Sequence, residues 1–349
     1  MKSQKRIADY GVSIGTLPSG PRNAITDVEG VFVGHCTLTD GPVQTGVTAV
    51  LPHGGNIFRD KLMAGCHVIN GFGKSIGLVQ IEEMGSLETP ILLTNTLSTG
   101  MTSEALVRFM LKDNPDIGRE TGTVNTVVCE CNDGFLNDIR GLHVGQEHVF
   151  NALAAAGQEF EEGAVGAGRG MSCFQLKGGV GSASRIVEAE GSCWTVGALV
   201  LSNFGQMEDL TVGGKHIGPS ILKIAPPSDE QGSIIVLLAT DLPLTERQLK
   251  RVSRRAAVGI SRTGGFMGSG SGEIVLAFTT ANRVSHDETA PVVPLGMFNE
   301  NLMNLPFRAA AEATEEAILN SMICAEPVTG RDGNRRDSLR DFAHLFEAS

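Results

Sequence analysis

The dipeptide Gly232-Ser233 stands where a polar, proline-containing run, residues 225–230, gives way to an apolar one, residues 234–238. Serine alone is a weak nucleophile and needs a base beside it. A serine freed at a chain N-terminus carries that base with it: its α-amine has a pKa of about 7.7–8.0 and is partly neutral near pH 7. The glycine matters too. Lacking a Cβ, it can take up strained conformations that bring Ser233 Oγ to the preceding carbonyl. These residue types allow a chain that cuts itself before Ser233 and then uses that serine as a nucleophile. Gly-Ser is a common dipeptide, and spacing alone leaves a plain strand start open.

A second polar cluster, Gly268-Ser269-Gly270-Ser271-Gly272-Glu273, offers companions. Ser271 and Glu273 are two residues apart and on a strand would share one face; a pair of turn residues in a Gly-rich loop is the bland alternative. Rival chemistries find little support. Gly71-Phe72-Gly73-Lys74-Ser75 resembles a phosphate loop, but Val68 stands where its first glycine is needed. The eight histidines include no HExxH pair, and Cys129-x-Cys131 has no further ligands at matching spacing, so no metal or other cofactor is expected. No GxSxG is present, and no histidine is placed to suggest a Ser-His-Asp triad.

These residues need a scaffold. The 349 residues, 41% of them apolar, suffice for one large domain with a sizeable core. The runs 196–202, 233–239 and 274–279 are apolar on both faces, which predicts central strands covered on both sides in a layered α/β fold. Strands are also predicted at 31–35, 45–51, 75–81 and from 90. Helices are predicted over 102–111, 147–156, 246–260 and 307–324. Thr245-x-x-Gln248 is a capping box for the third helix. Residues 1–22 read as a polar surface arm, and 226–231 as the weakest joint in the chain.

Composition bounds the partners. The net charge of −11 and an aromatic content of 5%, with one Trp and one Tyr, argue against nucleic acid and against an anionic membrane surface. The seven scattered cysteines read as buried free thiols in a reducing compartment. The N-terminus lacks an apolar signal core, and no run is long enough to span a membrane, so a soluble cytoplasmic protein is expected.

Several segments, in order along residues 20–325, resemble the self-cleaving L-aminopeptidase/D-esterase family, which includes the β-peptidyl aminopeptidases. They are NAITDV-x-GV-x-VGH at 23–35, E-x-NDGFLND at 130–138, GAVGAGRGMSCFQLKGGVGSASR at 163–185, L-x-x-x-NFG at 199–205, GSIIV at 232–236, and SGEI followed by AF-x-TAN at 271–282. The resemblance implies a four-layer αββα sandwich. It is similar to the N-terminal-nucleophile hydrolases but differently connected, and is shared with ornithine acetyltransferase. It implies one domain, 1–349, cut between Gly232 and Ser233 into chains 1–232 and 233–349 that stay together as a homo-tetramer of pairs.

The resemblance also assigns roles. Ser233 is the nucleophile, Ser271 and Glu273 orient it or relay protons, and Asn203 donates its amide to the oxyanion. Glu130 holds the substrate's ammonium group. Relatives can carry an aromatic residue within 130–136; here Asn132 or Phe135 takes that place, beside the substrate and without a phenol hydroxyl. The implied activity is hydrolysis of N-terminal residues from peptides, amides or esters, D- and β-amino acids included. Two alternatives stay open. One is an ornithine-acetyltransferase-like acyltransferase, against which the serine (rather than threonine) at 233 argues. The other is an uncleaved, catalytically silent oligomer that binds amines.

Overall fold

The computed structural model describes residues 4–223 and 232–347; the joint expected at 226–231 lies outside them. Two sheets dominate. The smaller has four strands in the order Phe32–Asp40, Val43–Leu51, Ile91–Asn95, Val127–Cys131. The larger has six, in the order Ser86–Leu87, Asp60–Gly71, Gly272–Ser285, Ser233–Thr240, Ser192–Asn203, Gly179–Ala189. Ser233–Thr240 is therefore interior, parallel to Gly272–Ser285 and antiparallel to Ser192–Asn203.

Alternation along the strands sorts their side chains into two cores. Ile235, Leu237 and Ala239 join Leu199, Leu201, Ile274, Leu276 and Phe278 in the core that faces the smaller sheet. Ile234, Val236 and Leu238 join Val275 and Ala277 in the other, against the long helix Asn304–Ile323 and the helix Glu246–Ser253. The far face of the smaller sheet is covered by Thr99–Asp113 and Gln146–Ala154, which contribute Leu106, Met110, Val149 and Ala152. The layers are helix, sheet, sheet, helix, as the resemblance implies; the strand composition alone implies only strands covered on both sides.

Three local expectations are corrected. Residues 75–81 do not form a strand. Gly77 takes φ 91°, with the Thr126 carbonyl where a Cβ would be, and Leu78–Met84 then coils into a helix that Gly85 ends at φ 63°. That helix buries Ile81 and exposes Val79, a one-sided pattern. The helix expected over 246–260 is capped by Thr245 and Gln248 as foreseen but breaks into Glu246–Ser253 and Ala256–Arg262. Each piece rests on a different support through a glycine: Gly65 lies under the first, and Gly259 of the second abuts the Ala311 carbonyl. The N-terminal arm is not a surface strap, since Ile7, Tyr10, Val12 and Ile14 are buried in the helix-side core. Of the cysteines, Cys193 is exposed and Cys36 half-buried; the other five are buried, and none is bridged.

Candidate active site

Ser233 opens a strand that is buried along its whole length, and is itself 8% exposed. By alternation its side chain points with Ile235 and Leu237 toward the smaller sheet. Asn203, the last residue of the neighbouring strand, pairs directly opposite it and points the same way, in phase with Leu199 and Leu201. Directly opposed antiparallel residues have Cβ atoms about 4.5–5.5 Å apart. Sequence positions 203 and 233 therefore meet at one strand end.

The Asn203 amide is fixed at both ends. Its Oδ1 accepts from Ser172 N–H at 2.8 Å, and its Nδ2 donates to the Asn132 carbonyl at 3.0 Å. An amide nitrogen carries two hydrogens, and among the described residues only one is used. The segment carrying Ser172 is itself pinned by Lys177, a fully buried cation whose Nζ donates to the carbonyls of Gly168, Met171 and Gly178 at 2.9, 2.6 and 2.8 Å. Neither Ser172 nor Lys177 was singled out from sequence. The signal available was a lone lysine inside a run of glycines and serines.

Ser233 Oγ accepts from Gly272 N–H at 3.2 Å, so the residue between Ser271 and Glu273 is the one that touches the serine. Gly232 is packed tightly: a Cβ there would fall 2.0 Å from the Asn203 carbonyl oxygen and 2.6 Å from Phe204 Cα. Beneath, the Cys131 thiol reaches the Ser233 carbonyl at 3.4 Å.

Ser271 and Glu273 come to the site from the other face. Gly272 is in phase with Ile274 and Leu276, so Glu273 points with Val275 to the helix side. Ser271 precedes the strand, in a turn closed by its own N–H to the Gly268 carbonyl at 2.9 Å. Both line a cleft of about 220 Å³, with Gly232, Phe204, Phe266 and Met267 among its other walls. Any relay from Glu273 to Ser233 runs around the strand end, not along one face. Burial raises the Glu273 carboxyl above its ordinary range, and the Ser271 hydroxyl opposes that shift. Among the described residues its Oε2 has no hydrogen-bond partner, although it is buried.

Glu130 is 3% exposed and accepts from Lys74 N–H at 2.7 Å and from the Thr96 hydroxyl. Gly73 separates it from the nucleophile's sheet: a Cβ there would lie 3.5 Å from Glu130 Oε1 and 3.3 Å from Ile274 Cδ1. A carboxylate has about four acceptor sites, so two donors leave room for an ammonium group. The side chains of the remaining two expected residues are engaged elsewhere. Asn132 is exposed, and its side chain closes a local turn by accepting from Gly134 N–H at 2.9 Å; its carbonyl is what serves Asn203. Phe135 packs with Leu136, Ala164, Ala325 and Val328 under the Arg336 guanidinium, 3.6 Å from its ring centre, away from the cleft walls.

The chain as a whole is similar to known proteins. Residues 23–336 match peptidase family S58. A beta-peptidyl aminopeptidase, BapA, from Sphingosinicella microcystinivorans is 41% identical over 355 residues, covering 94% of this chain and 88% of that protein. The crystal structure of the PH0078 protein from Pyrococcus horikoshii OT3 is 51% identical, with a TM-score of 0.94 and 98% of each chain covered. An L-aminopeptidase D-Ala-esterase/amidase from Ochrobactrum anthropi, described as a prototype serine aminopeptidase and a variant of the Ntn hydrolase fold, is 38% identical. Its TM-score is 0.90, with 97% of this chain and 99% of that one covered.

Proposed function

The chain belongs to peptidase family S58, and on that premise we propose that it cuts its own backbone between Gly232 and Ser233 and then works as a serine aminopeptidase. It is a hydrolase with an Ntn-type αββα fold; the residue roles that follow are our reading. The observation that carries them is the strand end at which Ser233 faces the anchored Asn203 amide, with Gly272 N–H on its Oγ.

In the precursor, Ser233 Oγ attacks the Gly232 carbonyl carbon. The serine proton goes to the departing nitrogen, the C–N bond breaks, and an ester joins Gly232 to Ser233. Water hydrolyses that ester, leaving a carboxylate on Gly232 and a free α-amine on Ser233. The same geometry then serves a substrate. The amine accepts the Oγ proton as Oγ attacks the scissile carbonyl, and the second hydrogen of Asn203 Nδ2 meets the developing oxyanion. The amine passes its proton to the leaving group, and water releases the acyl residue from Ser233. The missing Cβ at 232 lets the residue before the scissile bond pack against the 203–204 backbone.

Glu130 receives the substrate's ammonium group, which restricts cutting to free N-termini. Ser271 and Glu273 supply a proton route at the mouth of the cleft; a carboxyl raised by burial can hold a proton closer to neutral pH than an exposed one. Substrates are short peptides and amino-acid amides or esters, with D- and β-amino acids in range, as the names of the relatives suggest. We extend the reading to a cytoplasmic homo-tetramer of processed pairs; among the described residues no helix is long and apolar enough to cross a membrane.

The test is a panel of L-, D- and β-aminoacyl amides, alongside N-acetylated versions and acetyl transfer to ornithine. Hydrolysis of the free-amine substrates, lost on acetylation and in Ser233→Ala, is the expected result. Acetyl transfer outpacing hydrolysis would favour the acyltransferase instead.

A further inference from the structure

Asn70 lies near the end of the strand Asp60–Gly71 and pairs with Glu273. The register passes from Ile274↔Val68 to Glu273↔Asn70, leaving Ile69 as an extra residue on that strand. Such bulges re-aim side chains and recur beside active sites. Here the Asn70 amide faces the turn Gly268–Ser271. Its Nδ2 is 3.0 Å from the Gly268 carbonyl and 3.4 Å from that of Ser269, and it also bonds the Ser271 carbonyl. Three acceptors around one atom identify it as the NH₂ end, sharing two hydrogens among them.

Beyond the bond from Ser271 N–H to the Gly268 carbonyl, the turn has little of its own to hold it. Gly268 and Gly270 leave the backbone free, and Met267 enters at φ 58°. Its shape is imposed from outside, and Asn70 supplies the side-chain contact to three of its four carbonyls. Asn70 also leads directly into residues 71–74. There the Phe72 carbonyl lies 2.7 Å from where a Cβ on Gly272 would sit, and Lys74 N–H holds Glu130.

We propose that Asn70 is a positioning residue. It fixes the Ser271 hydroxyl at the mouth of the cleft and ties it to the loop that holds Glu130. The proposal rests on the roles given above to Ser271 and Glu130. It calls for a geometric clamp and not for any contact between Asn70 and substrate.

Asn70→Asp keeps the shape but turns an oxygen toward three carbonyl oxygens; Asn70→Ala removes the group. Both are expected to slow precursor cleavage and to lower kcat of the processed fraction about 100-fold, the cost of a displacement of about 1 Å, with a smaller rise in KM through the loop that holds Glu130. Relative to wild type, Asn70→Asp should regain rate as pH falls and its carboxyl gains a proton to donate, whereas Asn70→Ala should not. A role confined to folding would give neither the kcat-dominated loss nor the acid rescue. Melting temperatures of both variants, and Ser271→Ala in parallel, complete the experiment. If Ser271→Ala is impaired while the Asn70 variants run at the wild-type rate, the clamp is wrong and the reading of Ser271 survives. If Ser271→Ala is unimpaired, that reading falls and takes the clamp with it. A loss in KM alone, or one that only follows the folded fraction, also overturns the clamp. Should Asn70→Ala not fold, Asn70→Asp decides through its pH dependence.

Discussion

Arg185 and Glu273 are both buried, ionisable and on the helix-facing side of the six-stranded sheet, one on its edge strand and one near its middle. Arg185 has partners all round. Nη2 meets Glu316 at 2.6 Å and the Ile14 carbonyl at 2.7 Å, Nη1 the Ser184 carbonyl at 2.8 Å, and Nε Glu312 at 3.4 Å. The two glutamates in turn accept from Leu17 N–H at 3.0 Å and Asn23 Nδ2 at 2.6 Å. This cluster draws the N-terminal arm onto the long helix. Glu273 instead keeps one carboxyl oxygen without a partner among the described residues, and its neighbours Asn203 and Ser233 are likewise incompletely used there. Buried polar groups are normally satisfied, and a fully satisfied network specifies structure. Unused bonding capacity at a strand end, next to a cleft, is what a site for an incoming molecule requires.

The contrast can be broken from either side. Arg185→Met leaves buried Glu316 without its cation and Glu312 with only the exposed Arg308 at 4.0 Å, and should cost about 3–5 kcal/mol. Urea unfolding measures it, with activity per folded, processed molecule unchanged; a loss of activity without loss of stability would dissolve the distinction. Asn203→Ala should lower kcat by about 10²–10³-fold, equivalent to about 2.7–4 kcal/mol of transition-state stabilisation. Steady-state kinetics that show KM rising with kcat intact would remove Asn203 from the oxyanion.

A pH-dependent effect concerns Asp133, fully buried beside Asn132, where burial pushes the carboxyl up to about 7 and the Thr45 hydroxyl and Asn137 amide pull the other way. The folded chain then holds a proton that the unfolded chain has already lost. Stability from this group is complete below the ordinary Asp pKa and declines as pH rises toward 7. Asp133→Asn should flatten that slope in melting curves between about pH 4 and 8; an unchanged slope would mean the carboxyl is ionised in the fold.

The central strands were legible because runs such as 234–239 are apolar at every position, which only two-sided burial explains. The apolar run 75–81 was not, because short runs look alike as strand or helix; Gly77 and its close approach to Thr126 decide it. For the proposed site, the sequence offers Ser233, Asn203, Ser271 and Glu273 as candidates, but not the faces they occupy. Alternation puts Ser271 and Glu273 in phase with each other; only the register with Ser233–Thr240 reveals that Glu273 and Ser233 point to opposite sides. Lys177, Gly272 and Asn70 act through backbone carbonyls or a single N–H, contacts that no motif encodes.

The central claim, that the backbone is cut before Ser233 and that the cut makes the nucleophile, is tested most directly by the intact mass and N-terminal sequence of active enzyme, with Ser233→Ala beside it. The account predicts two fragments, 1–232 and 233–349, the second beginning at Ser233, and a single uncut chain for the variant. An active preparation consisting of one full-length chain, or a cut that persists in Ser233→Ala, would contradict it.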